Sequence, residues 1–121
     1  MKRFILAALA VLGLCTWAMA GAQVNEDRYG VVSSSIDVAS VAANTTAEQT
    51  FTIQGLKTTD FVSLVKPSLN AGLGIVNARV SAANTLAITF VNATGGAIDP
   101  AAETYLVFWF RAEKVPGAVN P

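Results

Sequence analysis

The chain has 121 residues, one cysteine, no histidine, and eight basic against eight acidic residues. Only 13% of its residues are charged and 53% are hydrophobic. This length allows one domain with a modest core, and the lack of a basic excess argues against nucleic-acid binding. Without histidine the chain lacks the commonest general base and metal ligand. We therefore expect no enzymatic activity, no metal site and no cofactor.

Residues 1–22 are predicted to be an apolar, helical leader. Lys2 and Arg3 give it a positive start, residues 4–22 carry no charge, and a small-residue motif ends at Ala20. We expect a signal peptidase to cleave after Ala20 or after Ala22. The same uncharged stretch is just long enough to span a bilayer as an uncleaved anchor. Membrane contact is expected through this leader alone.

The rest of the chain predicts a β-rich domain over residues 23–114 and an extended tail over 115–121. Short runs rich in Val, Ile, Thr and Phe alternate with Gly, Asn, Pro and Ser clusters, which is typical of strands and turns. The predicted strands are residues 29–38, 47–54, 60–66, 74–81, 85–92 and 104–112. This pattern indicates an all-β fold, either a small antiparallel β-sandwich or a jelly-roll-like barrel of about six to eight strands.

The fourth and fifth strands are predicted to form a hairpin closed by residues 82–84, since Asn84 tolerates the left-handed conformation of tight turns. The fifth strand alternates, as a half-buried antiparallel strand does. We expect one face to carry Leu86, Ile88 and Phe90. The other face is expected to carry Ala87, Thr89 and Val91.

The sixth strand is apolar on both faces, with Leu106, Phe108 and Phe110 on one side. Such a strand is either central in a core or covered on its outer face by a partner. Tyr and Trp are enriched at interface hot spots. For the covered case, we therefore predict a protein interface formed by Tyr105, Val107 and Trp109.

Neither the acidic nor the hydroxyl residues form a recognisable reactive site. Apart from Glu26 and Asp27 the carboxylates are isolated in sequence, which favours neither a calcium loop nor a glycosidase pair. The serine run at residues 33–35 has no histidine base and reads as a polar strand face. Asn44 and Asn92 match the glycosylation acceptor pattern, which we interpret only as marking surface loops.

Several segments of the domain together carry a family resemblance. They are GLK at 55–57, DFV at 60–62, KPS at 66–68, AGLGI at 71–75, ARVSAANTL at 78–86, FVN at 90–92, TG at 94–95 and Tyr105. Over residues 40–111 the chain resembles small β-sandwich virion structural proteins of tailed bacteriophages, some of which act as capsid decoration proteins. The resemblance implies a virion protein that binds protein partners such as a major capsid protein and forms a homo-oligomer. It implies no catalytic residues.

The leader supports a second interpretation. Virion proteins that assemble in the host cytoplasm normally have no secretory leader, whereas this chain is predicted to begin with one. The alternative is an exported β-sandwich binding module, periplasmic or extracellular, that recognises a glycan or a protein. The resemblance therefore implies a virion location, and the leader leaves export as the alternative.

Overall fold

The computed structural model of the chain describes residues 28–112. These residues form strands and no helix, so none of their elements is a membrane-spanning helix. The strands are β1 (Tyr29–Ile36), β2 (Thr45–Thr52), β3 (Asp60–Val65), β4 (Leu73–Ala82), β5 (Thr85–Asn92) and β6 (Glu103–Arg111). The all-β class and the six predicted strands are confirmed, each boundary within two residues. The predicted leader, its cleavage positions at Ala20 and Ala22, and the tail over 115–121 lie outside the described residues.

The strands form two three-stranded antiparallel sheets, one in the order β1–β6–β3 and the other in the order β2–β5–β4. Among the strands of residues 28–112, only β4 and β5 are neighbours both in sequence and in a sheet. The last strand, β6, lies in the middle of its sheet and pairs with two strands that are remote in sequence. Long-range pairing therefore determines this sheet, and local turns do not.

The register of the β1–β6–β3 sheet brings the two ends of the described chain together. Tyr29 lies opposite Phe110, and Asp60 lies opposite Arg111. The start of β1 and the end of β6 are therefore neighbours at one end of the sheet, which we call the terminal end. Glu103 marks the other end.

The inner faces of the two sheets share one hydrophobic core. In the central strand β5, Leu86, Ile88 and Phe90 are completely buried, as the alternation predicted. Each such side chain contributes about 1.5–3 kcal/mol by leaving water. Val107 of the other central strand, β6, is also completely buried, so both sheets supply the core from their middle strands.

The turn between β4 and β5 is tied to the loop that follows β2. Ala83 and Asn84 connect the strands, and Asn84 has a φ of 58°, the left-handed conformation predicted for it. Its Oδ1 accepts from the Gly55 amide at 2.8 Å, and its own amide donates to the Leu56 carbonyl at 2.9 Å. Its carbonyl accepts from the Ile53 amide at 2.9 Å. One asparagine therefore both closes the hairpin and fixes the adjacent loop.

Candidate functional site

The residues predicted as the interface of the sixth strand lie on the core side of β6. Tyr105 and Val107 are completely buried, and Trp109 is partly buried against the core. Tyr105 and Val107 pack between the sheets and are not available to a partner, and Trp109 is only partly accessible. The face assignment is therefore corrected: Leu106 and Phe108, with Phe110, form the outward side of the strand. Since both sides of β6 are apolar, its own alternation could not distinguish them.

The outward side chains of β1, β6 and β3 form a continuous surface, which we call the apolar sheet face. Its residues lie in three cross-strand rows, ordered from the terminal end. The rows are Tyr29–Phe110–Phe61, Val31–Phe108–Ser63 and Ser33–Leu106–Val65. Seven of these nine residues are apolar or aromatic, so the surface lacks the polar outer pattern usual for a solvated antiparallel sheet.

The apolar side chains of this face are well exposed, between 40% and 63% of their full area. The rings of Phe61 and Phe110 are 4.7 Å apart between centroids, and those of Phe108 and Phe110 are 6.2 Å apart. With about 150–250 Å² for each aromatic side chain, the face exposes on the order of 600 Å² of apolar surface. A contiguous apolar patch of this size lies at the top of the range found on monomeric proteins, where such patches often serve a function.

An inward-facing ion pair occupies the terminal end of the same sheet. Arg111 binds Asp60 through two hydrogen bonds, Nε to Oδ1 at 2.6 Å and Nη2 to Oδ2 at 2.8 Å. The Asp60 side chain is completely buried, and its Oδ2 also accepts from the Lys57 amide at 2.8 Å. The Arg111 guanidinium lies 5.1 Å from the ring centre of Trp109, within cation–π range.

A second ion pair occupies the opposite end. Lys66 donates to Glu103, and the Ser68 hydroxyl donates to the other oxygen of Glu103 at 2.7 Å. Lys66 also donates to the Ser68 carbonyl at 2.7 Å. Together the two pairs bridge β6 and the β3 segment at both ends, and none of the described residues places a charge on the apolar sheet face.

Three pKa values are shifted at this sheet, two of them by the ion-pair contacts. The hydrogen bonds from Arg111 are the largest influence on Asp60 and hold the pKa of its carboxyl below the ordinary value. The pKa of Glu103 is lowered in the same way, first by Lys66 and then by Ser68. Burial raises the pKa of Tyr105 to about 12, and the charge of Glu103 adds to the rise. Each carboxylate is thus stabilised by its partners, while the Tyr105 phenol is held neutral.

The outer face of the β2–β5–β4 sheet has the opposite character. Glu48 and Arg79 form a two-point ion pair across it, with distances of 2.7 and 3.0 Å, and Thr89 of the middle strand lies opposite Glu48. The neighbouring position Thr50 is polar and exposed. The chain therefore builds an ordinary solvent face on one sheet and an apolar one on the other.

The described part of the chain offers few groups for chemistry. No cluster of three metal-ligating side chains occurs within residues 28–112. An open groove of about 290 Å³ runs between β3 and β4, and its lining contains no titratable side chain. The groove is lined by Phe61, Val62, Ser63, Leu64, Ile75, Val76, Asn77 and Ala78. What this arrangement offers is contact surface.

The two asparagines that match the glycosylation acceptor pattern differ in their exposure to solvent. Asn44 is exposed, whereas Asn92 is completely buried at the end of β5. The Nδ2 of Asn92 donates to the Val41 and Gly96 carbonyls at 3.0 and 2.8 Å, and its Oδ1 accepts from the Thr94 amide at 2.9 Å. The interpretation of Asn92 as a surface-loop marker is therefore wrong, since its amide joins the core to the following loop.

Sequence reasoning missed four residues of the apolar sheet face: Tyr29, Val31, Phe61 and Val65. A usable signal was present in β3, where Phe61 and Val65 are apolar on one side while Val62 and Leu64 are apolar on the other. That strand is two-faced like β6. Two such strands in one chain indicate a sheet with an apolar outer face.

Comparisons with protein-family models, with curated proteins and with solved structures gave no match to this chain.

Proposed function

We propose that this protein is a non-enzymatic structural protein, a virion accessory subunit of the capsid decoration type, that assembles through a β-sandwich domain. The observation that carries the proposal is the apolar sheet face. At about 25 cal/mol per Å², covering on the order of 600 Å² of apolar surface contributes roughly 15 kcal/mol before the costs of association. The free energy of the protein in water is therefore lower when another macromolecule covers this surface.

The composition of the face supports a protein as the partner. Interface cores are depleted in charged residues and enriched in aromatic residues, and this face combines four aromatic side chains with no charge. A nucleic acid would require basic side chains for its phosphates. The virion setting is supported by the resemblance of residues 40–111 to phage structural proteins.

Particle binding tests this function directly. Mass spectrometry of purified particles should detect the chain. Particles that lack it should bind the added wild-type protein and the Thr50→Glu control, which places a charge on the polar sheet. The Phe108→Glu variant, with a charge at the centre of the apolar sheet face, should bind weakly. Absence of the chain from particles would overturn the proposal, whereas equal binding of all three proteins would show that the particle contact lies outside the apolar sheet face.

The leader favours a second candidate function, an exported module that binds a glycan or a protein. N-terminal sequencing of the mature protein separates the two candidates. A new N-terminus at Gly21 or Gln23 would support export, and retention of Met1 in the mature protein would exclude a cleaved leader.

A further inference from the structure

We propose that the partner on the apolar sheet face is a second copy of this chain, packed face to face around a two-fold axis. This inference rests on the proposed function, since it names the occupant of the same surface. Under it, the subunit joins any larger assembly as a dimer, and other surfaces of the dimer make the remaining contacts.

The area of the face fits a symmetric dimer. Two copies that cover each other would bury about 1,200 Å² in total, the lower end of the range for specific, stable protein interfaces. The face covers most of the three-stranded sheet and stops at its ends, where the inward ion pairs Asp60–Arg111 and Lys66–Glu103 begin. An interface limited to this sheet is therefore just large enough for a dimer.

The absence of charge on the face also favours self-association. In a two-fold interface each residue meets its own symmetry mate or a neighbour of that mate, so a charge near the axis would face a like charge. A different partner imposes no such limit, and heterologous interfaces commonly use complementary charges. This chain has eight acidic and eight basic residues, and none of those described lies on the face.

The sizes of the side chains in the rows of the apolar sheet face determine how the two copies align. The row at the terminal end is tall, because it consists of three rings: Tyr29, Phe110 and Phe61. The row at the other end is lower, because it consists of the smaller side chains of Ser33, Leu106 and Val65. A two-fold axis that lies between the sheets and crosses the strands near Phe108 places the tall row of each copy over the low row of the other. Sheets packed in this way stand about 10 Å apart with interdigitated side chains.

This alignment predicts specific contacts between copies. Phe110 of one copy lies over Leu106 of the other, and Phe61 lies over Val65. Within one chain Phe61 and Val65 are four residues apart on β3, about 13 Å along a strand, so they do not touch each other. Opposite charges at these two positions therefore attract between copies and hardly at all within one.

Sedimentation velocity of the full chain, without particles, tests the proposal. The wild-type protein and the Thr50→Glu control should form a dimer of the same Kd. Phe108→Glu, Phe61→Lys and Val65→Glu should each raise this Kd by about tenfold or more. The double variant Phe61→Lys with Val65→Glu should recover most of the loss. Circular dichroism should show that every variant keeps its fold, because all the changed side chains are exposed.

Three results would overturn the dimer. The first is a wild-type monomer at every soluble concentration, including a monomer whose face is shielded by its own terminal segments. The second is a dimer whose Kd Phe108→Glu leaves unchanged. The third is a double variant whose dimer Kd is no lower than that of either single variant. A monomer that still binds particles through Phe108 would leave the proposed function standing, whereas a dimer absent from particles would remove that function alone.

Discussion

The indole of Trp109 packs directly against the backbone of Gly30, its cross-strand neighbour on β1. A Cβ atom at residue 30 would lie 2.9 Å from Nε1 of Trp109 and 3.0 Å from its Cε2. The ring lies over the backbone of the glycine and also contacts the guanidinium of Arg111. The absence of one methyl group at position 30 thus lets the ring lie flat along the inner face of the sheet.

Gly30→Ala is expected to lower the free energy of unfolding by about 1–3 kcal/mol, because the new methyl overpacks the ring. Urea unfolding followed by tryptophan fluorescence measures the change. Gly95→Ala is the control, since a Cβ there meets nothing within 4 Å. Equal stability of the two variants would show that the ring moves aside without cost.

Asn92→Asp is expected to destabilise the domain by roughly 2–5 kcal/mol at neutral pH. The introduced carboxylate has the same size as the amide but cannot donate to the Val41 and Gly96 carbonyls. Burial should raise the pKa of this carboxyl in the folded state. The free energy of unfolding of the variant should therefore be closest to that of the wild type below the ordinary carboxyl pKa, and it should fall as the pH rises. Asn77→Asp, on an exposed position of β4, should change little. Parallel pH curves for the two variants would contradict this.

Low pH should lower the stability of the domain, because it protonates the carboxylate of Asp60. Because the folded pKa of this carboxyl is lowered, its contribution is complete above the ordinary carboxyl pKa and disappears as the pH falls through the folded pKa. Thermal unfolding of the wild type should therefore shift downward below about pH 4. Glu103 shifts in the same direction and should add to this loss.

Asp60→Asn should cost about 3 kcal/mol at neutral pH, because it breaks a buried pair from one side. The variant should also lose part of the acid sensitivity. Glu48→Gln is the matched control, since its pair with Arg79 is exposed, and it should have little effect. An unchanged acid transition in Asp60→Asn would show that other carboxylates govern it.

Tyr105→Phe is expected to be neutral or to stabilise the domain by about 1 kcal/mol. The Tyr105 hydroxyl is buried and has no hydrogen-bond partner among residues 28–112. Since its folded pKa is raised to about 12, the wild type should lose stability as the pH climbs from about 10, the ordinary tyrosine pKa. The variant should resist this alkaline loss, as unfolding curves at high pH will show. A clear destabilisation by Tyr105→Phe would reveal a bond to that hydroxyl.

The strands and the β4–β5 turn could be read from the sequence because their signals are local. The alternation of β5 and the left-handed preference of Asn84 each act within a few residues. The placement of β6 between β1 and β3 could not be read, since it follows from pairing between distant segments. The ion pair Asp60–Arg111 joins residues 51 positions apart and depends on that pairing.

Local sequence patterns also could not predict which side of β6 faces the core. Tyr105 and Val107 are as apolar a set as Phe108 and Phe110, so hydrophobicity alone assigns neither to the interior. What decides is the neighbouring strands. The inner position of β1 opposite Trp109 is Gly30, which leaves room for the indole on that side.

The antiparallel pairing of Tyr29 with Phe110 places both ends of the described chain at one end of the sheet. A mechanical pull applied to the two termini would therefore load β1 and β6 from the same side. Their hydrogen bonds would open one after another, like a zipper, instead of shearing all at once. The domain should therefore unfold at low force when it is stretched through its termini.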